Sequence, residues 1–150
     1  MDNPLAPEVL KNLIKIKPDG SLYRRESATL EFKVDFDWDV KASRVKYLKT
    51  IAAFANKLGG YMVFGISDSP RSLVGLTKPF MQIDDAQINQ YFNQFLAPTP
   101  EFEREEIQLN GKMFGFIYVH PFENPPIVCV KDYDKIMSES SIYYRYSGQS

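Results

Sequence analysis

The chain contains one cysteine, Cys129, and one histidine, His120, in 150 residues. A single thiol cannot form an internal disulfide, and one Cys with one His cannot complete a tetrahedral N/S zinc site. The same poverty argues against Ser-His-Asp and Cys-His chemistry, because His120 ends an apolar run and precedes Pro121, the position of a strand-end residue. An N-terminal apolar run is lacking, as is any stretch of membrane-spanning length, so the expected setting is reducing and cytoplasmic, without a signal peptide. There is no excess of positive charge either. Eighteen Lys and Arg against nineteen Asp and Glu give a net charge of -1, which excludes a uniformly basic nucleic-acid binder and leaves room for a local basic patch. Gly59-Gly60 and Gly65 are not followed by Gly-Lys-Ser/Thr, and they lie after a helix and before a strand, the reverse of a phosphate-cradling loop. No ATP site is expected.

What is present supports one domain over 1–150. Residues 7 to 16 read as a short helix with Pro7 in its first turn, closed by KPDGS. Residues 29 to 38 alternate with period two, as a half-buried strand does. From Ser43 to Leu58, Val45, Leu48, Ile51, Ala52, Ala55 and Leu58 share one helical face, with Ser43 as N-cap and Gly59 past the end. Tyr61–Ser67 is apolar enough for a central strand, and a short return strand is expected at Leu73–Leu76. Asp84–Leu96 reads as a helix stopped by Pro98 and Pro100. Strands follow at Glu103–Leu109, Met113–Val119, Ile127–Val130 and Ile142–Tyr146, the first two joined by an Asn110-Gly111 turn. The order is α-β-α-β-β-α-β-β-β-β, an α+β fold with a mixed sheet and about three helices.

Two charged surfaces stand out. In ESATLEFKVDFDWDV (26–40), a regular strand puts Glu31, Lys33, Asp35, Asp37 and Asp39 on one face. Such a face repels phosphate unless a hard divalent cation intervenes, and Mg²⁺ or Mn²⁺ on oxygen ligands can activate water for phosphodiester attack. Glu26 and Glu31 are five apart and converge only if Glu26 lies before the strand begins. The second surface is the helix from Lys41 to Lys57, which carries five cations and no acid. Lys46, Lys49, Asn56 and Lys57 fall opposite the apolar face, where they could track a phosphate backbone. A solvated basic face explains the stripe equally well.

ESATLEFK (26–33), IAAFANKLGGYMVFGISD (51–68), LVGL (73–76), the helix ending at Pro98, the NGK turn, Pro125-Pro126 and YYRYSG (143–148) together resemble the AlbA_2 domain family, also called Schlafen AlbA_2. The resemblance covers residues 23 to 148, with 1–22 as an N-terminal extension. It implies an α+β nucleic-acid-associated domain, DNA or RNA, often the N-terminal part of a longer protein such as a transcriptional regulator. In animal Schlafen relatives two such lobes form a clamp that cleaves transfer and ribosomal RNA through a metal-dependent trio of carboxylates. By motif that trio falls on Glu26, Glu31 and Asp68, which would be the Mg or Mn ligands and catalytic groups of an endoribonuclease. Lys33 and Arg145 join Lys46, Lys49, Asn56 and Lys57 as expected nucleic-acid contacts. A homodimer could supply the second lobe. A non-catalytic interaction or sensory module is the third reading.

Overall fold

Two apolar faces of one mixed sheet organise the computed structural model, which describes residues 3–124, 126–131, 137–139 and 141–145. Its elements run α1 (Pro7–Leu13), β1 (Leu30–Lys33), α2 (Lys41–Ala55), β2 (Gly60–Phe64), α3 (Asp85–Phe95), β3 (Leu96–Ala97), β4 (Phe102–Leu109), β5 (Lys112–Val119) and β6 (Val128–Cys129). The main sheet has the order β1-β2-β5-β4, with β1 parallel to β2 and the other pairs antiparallel. β3 and β6 form a separate two-stranded ladder. The α+β class and mixed sheet are as the sequence predicts, and no described helix is long and apolar enough to cross a membrane.

Alternation along the strands assigns the two faces. Leu30, Phe32, Val63, Phe114 and Phe116 pack with Leu10, Leu13 and Ile14 from α1 and its exit. Met62, Phe64, Ile117 and Val119 pack on the other side with α2 and α3. β2 is apolar on both faces because it is covered on both. The β4–β5 turn forms at Asn110-Gly111, both with positive φ (54° and 78°), as a two-residue hairpin demands. At the end of α2, Gly59 (φ 75°) donates its N–H to Phe54 O, and a Cβ there would come within 2.6 Å of Val119 O.

Several expected elements are shorter or displaced. The strand predicted over 29–38 stops at Lys33. Beyond it the carboxylate of Asp35 accepts N–H groups from Thr77 and Lys78, and Lys78 Nζ sits 2.7 Å from Asp37 and 3.2 Å from Asp39. These acids clasp a loop instead of lining a sheet face, and the Lys78 ammonium holds the Asp39 carboxyl below the usual range. The alternate residues still turn inward: Phe36 stacks on Trp38 and Tyr47 and meets Phe64 and Phe80 edge-on. α2 starts at Lys41 with Val40 as N-cap, so Ser43 lies inside the first turn and makes no cap. Among the described residues, Leu73–Leu76 yields one bridge, Ile66 to Leu73, and the last expected strand, Ile142–Tyr146, yields one, Val128 to Ile142. Pro125 and residues 146–148 of the sequence motifs lie outside the described residues.

Candidate nucleic-acid interface

β1 is an edge strand, and in its parallel pairing with β2 the backbone of Leu30 and Phe32 turns outward. Two side chains cover that edge. Glu26, which lies before the strand, accepts the Phe32 N–H on Oε2 at 3.0 Å. Arg145, arriving from the C-terminal segment, donates to the carbonyls of Leu30 (3.0 Å) and Ser27 (2.9 Å). Because Glu26 precedes β1, it converges with Glu31 although the two are five apart.

Glu26, Glu31 and Asp68 line one cleft of about 270 Å³, together with Phe32, Lys33, Val34, Ile66 and Arg71. Cations are interleaved with the acids. Arg71 Nη2 is 3.1 Å from Glu26 Oε1 and 3.6 Å from Asp68 Oδ1, with its guanidinium 5.3 Å above the Phe32 ring. Glu31 is buried: Oε1 takes Arg145 Nη1 at 2.8 Å, while Oε2 takes the Thr50 hydroxyl at 3.1 Å and faces Lys33 Nζ at 3.3 Å. Asp68, its side chain 84% exposed, touches only the edge of this network.

The donor set, oxygen throughout, has the chemistry for Mg²⁺ or Mn²⁺, but the arrangement does not fit one. All four carboxylate oxygens of Glu26 and Glu31 face protein donors, and two of the cations, Arg71 and Lys33, sit where an ion's charge would act. Among the described residues no three His, Cys, Asp or Glu side chains are placed to hold a metal.

The expected basic stripe is corrected in two places. Asn56 is buried, its amide donating to Ile127 O and Tyr143 O and accepting from Ile127 N, so it ties the C-terminal segment to α2. Arg145 is fully buried over the Phe54 ring and is spent on Glu31 and the β1 edge. Neither reaches a surface ligand. The stripe is narrower than its sequence suggests because most of the circumference of α2 is buried, from Thr50 to Ala55 without a break. Lys46 and Lys57 are exposed, and Lys49 is partly covered, its ammonium 5.1 Å above the Tyr143 ring. Lys33 lines the carboxylate cleft.

Sequence reasoning missed Arg24, Arg25, Arg71 and Thr50. The three arginines line an adjoining cleft of about 400 Å³ with Ser21, Leu22, Glu26 and Pro70, and Glu26 and Arg71 form the wall shared with the acidic cleft. A signal existed: Arg24-Arg25 immediately precede Glu26, and Arg71 lies three residues after Asp68. Thr50 had none, since a threonine on a buried helical face reads as core.

Three comparisons bear on this arrangement. The chain is 32% identical over 160 residues to the uncharacterized ATP-binding protein UU034 of Ureaplasma parvum, a match covering 95% of this chain and 44% of that protein. It thus spans less than half of that relative. Among solved structures, the DIP2311 protein of Corynebacterium diphtheriae superposes with a TM-score of 0.59 at 16% identity, over 94% of this chain and 25% of that one. That likeness concerns the fold alone. The N-terminal domain of a RecG-related protein of Nitrosomonas europaea, whose name refers to an ATP-dependent DNA helicase, matches with a TM-score of 0.50 at 26% identity. It covers 85% of this chain and 83% of that domain. The family model for Schlafen, AlbA_2 matches residues 26–150, beginning at Glu26 of the cleft, and the chain belongs to that family.

Proposed function

We propose that this chain is a nucleic-acid-binding domain that grips phosphate backbone along the cation-bearing outer edge of β1, as the N-terminal part of a longer protein such as a transcriptional regulator. The observation that carries this reading is the meeting of Lys33 and Arg71 with the family's three carboxylates in one open cleft, beside a second cleft lined by Arg24, Arg25 and Arg71. Phosphate contacts need cations at fixed positions and no base-specific geometry. The RecG-related neighbour supports the same class of ligand. Lys46, Lys49 and Lys57 extend the proposed contact surface around α2. The test is binding of transfer RNA and of duplex DNA by the wild type, Lys33→Gln, Arg71→Gln and the Lys46→Gln, Lys49→Gln pair. The cleft variants are expected to weaken binding; equal binding by all of them would overturn the assignment.

The hydrolytic alternative has one observation in its favour, the convergence of Glu26, Glu31 and Asp68 on one cleft. Against it stands the engagement of their oxygens by Arg71, Lys33, Arg145 and Thr50. Manganese-dependent cleavage of transfer RNA that disappears in Glu31→Gln would establish it. Intact RNA leaves the binding reading alone.

A further inference from the structure

The segment preceding the family match carries a second concentration of positive charge besides that of α2. Residues 11–25 hold Lys11, Lys15, Lys17, Arg24 and Arg25 against one acid, Asp19, a net +4 in a chain whose total is -1. Asp19 is spent locally: its carboxylate accepts the Ser21 N–H at 2.9 Å and the Ser21 hydroxyl at 2.6 Å. That turn, with Gly20 at φ +88°, closes a small antiparallel loop through Lys17 N to Ser21 O, Tyr23 N to Lys15 O and the Ile16–Leu22 bridge. Leu13, Ile14 and Leu22 pin the loop to the core. The pinning leaves its other side chains outside.

On that outer side stands Tyr23, 53% exposed, with Lys15 Nζ 5.4 Å and Lys17 Nζ 6.0 Å from its ring centre. An exposed aromatic ring with two flexible lysine ammoniums over it offers a single nucleic-acid strand a π-face on which a base can replace an ammonium, and charges for the neighbouring phosphates. The chain then runs directly into the arginine cleft. Arg24 is steadied by Asn12 O and Oδ1 at the end of α1. Arg25 is exposed and has no hydrogen bond or ion pair among the described residues. Arg71 follows at the wall shared with the carboxylates.

We propose that the loop from Lys15 to Arg25 is a single-strand nucleic-acid platform. Tyr23 stacks on a base, Lys15 and Lys17 hold the phosphates beside it, and Arg24 and Arg25 lead the backbone to Arg71. This rests on the nucleic-acid reading of the cleft and adds to it a strand preference and a path.

Fluorescence anisotropy with a short labelled oligouridine or oligothymidine, across a salt series, tests the platform. Tyr23→Ala is expected to bind the strand roughly 5- to 150-fold more weakly, the range for removal of one base–aromatic stack, whereas Tyr23→Phe binds as wild type. Arg25→Gln is expected to lower the slope of log affinity on log salt by about 0.7, one single-strand phosphate contact. Tyr23→Trp should lose fluorescence on binding the unlabelled strand, and unchanged melting temperatures exclude a folding defect as the cause. If Tyr23→Ala and Arg25→Gln both bind the strand as wild type while Lys33→Gln or Arg71→Gln weakens it, the platform is refuted and the cleft assignment survives. Absence of strand binding by the wild type at low salt removes the platform, and absence of binding to transfer RNA and duplex DNA as well removes the cleft assignment.

Discussion

Removing Arg145 tests how the candidate cleft is held together. The guanidinium has no solvent exposure and spans a carboxylate and two strand-edge carbonyls, Glu31 Oε1, Leu30 O and Ser27 O, over the Phe54 ring. Arg145→Met keeps most of the side-chain volume but leaves Glu31 buried, with Thr50 and a Lys33 ammonium 3.3 Å away as its remaining partners. Breaking one side of a buried pair costs about 3–5 kcal/mol, a large share of the ~5–15 kcal/mol available to a domain. Glu31→Gln removes the partner charge from the other side. If the two residues act through each other, the double variant is less destabilised than the two single variants combined, with a coupling of about 2 kcal/mol or more. Urea denaturation of the four proteins at constant pH gives the cycle. A coupling below about 0.5 kcal/mol would refute the claim that Glu31 is first a structural partner of Arg145.

Three further outcomes follow from individual side chains. Asn56→Ala leaves Ile127 N, Ile127 O and Tyr143 O without their side-chain partner and should cost about 2–5 kcal/mol, read from a chemical denaturation midpoint; a cost under about 1 kcal/mol would contradict the tethering role. Burial pushes the Tyr47 hydroxyl up to about 12, opposed by its hydrogen bond from the Asp37 N–H. An unfolded tyrosine ionises near pH 10, so the folded state holds its proton longer; stability is complete below about pH 10 and falls by about 2–3 kcal/mol as pH rises to about 12. Tyr47→Phe should lack that increment of alkaline destabilisation, and an identical pH profile for the two proteins would count against it. Millimolar manganese should leave the melting temperature of the wild type unchanged, because the Glu26 and Glu31 oxygens are already engaged. A rise that vanishes in Glu31→Gln would show instead that the ion displaces Arg71 and Lys33.

The parts of the fold legible in the sequence are those whose causes are local. α2, α3 and the β4–β5 hairpin follow from periodicity, from Pro98 and Gly59 at the ends, and from the positive φ required at Asn110 and Gly111. The family motifs bring Glu26, Glu31 and Asp68 into one group, and the cleft they share needs only that Glu26 precede β1. What is not legible depends on partners far along the chain. Arg145 meets Glu31 across 114 positions, and Asn56 meets Tyr143 across 87. Both residue types read as surface polar groups, and only the return of the C-terminal segment buries them. Asp35 likewise ends the apparent strand of 29–38 through Thr77 and Lys78, 42 and 43 positions away. Tyr23 and its flanking lysines leave no trace in the sequence because a short polar turn carries no periodic signal; their proximity is a product of the Ile16–Leu22 bridge.

The central claim, that this domain holds nucleic-acid backbone at the cation-bearing edge of β1, is tested most directly by the salt dependence of its affinity for RNA in the wild type and in a Lys33→Gln, Arg71→Gln double variant. The account predicts a linear fall of log affinity with log salt and a slope shallower by about 1.4–1.8 in the double variant, because two phosphates are no longer neutralised. The same slope and the same affinity in both proteins would contradict it.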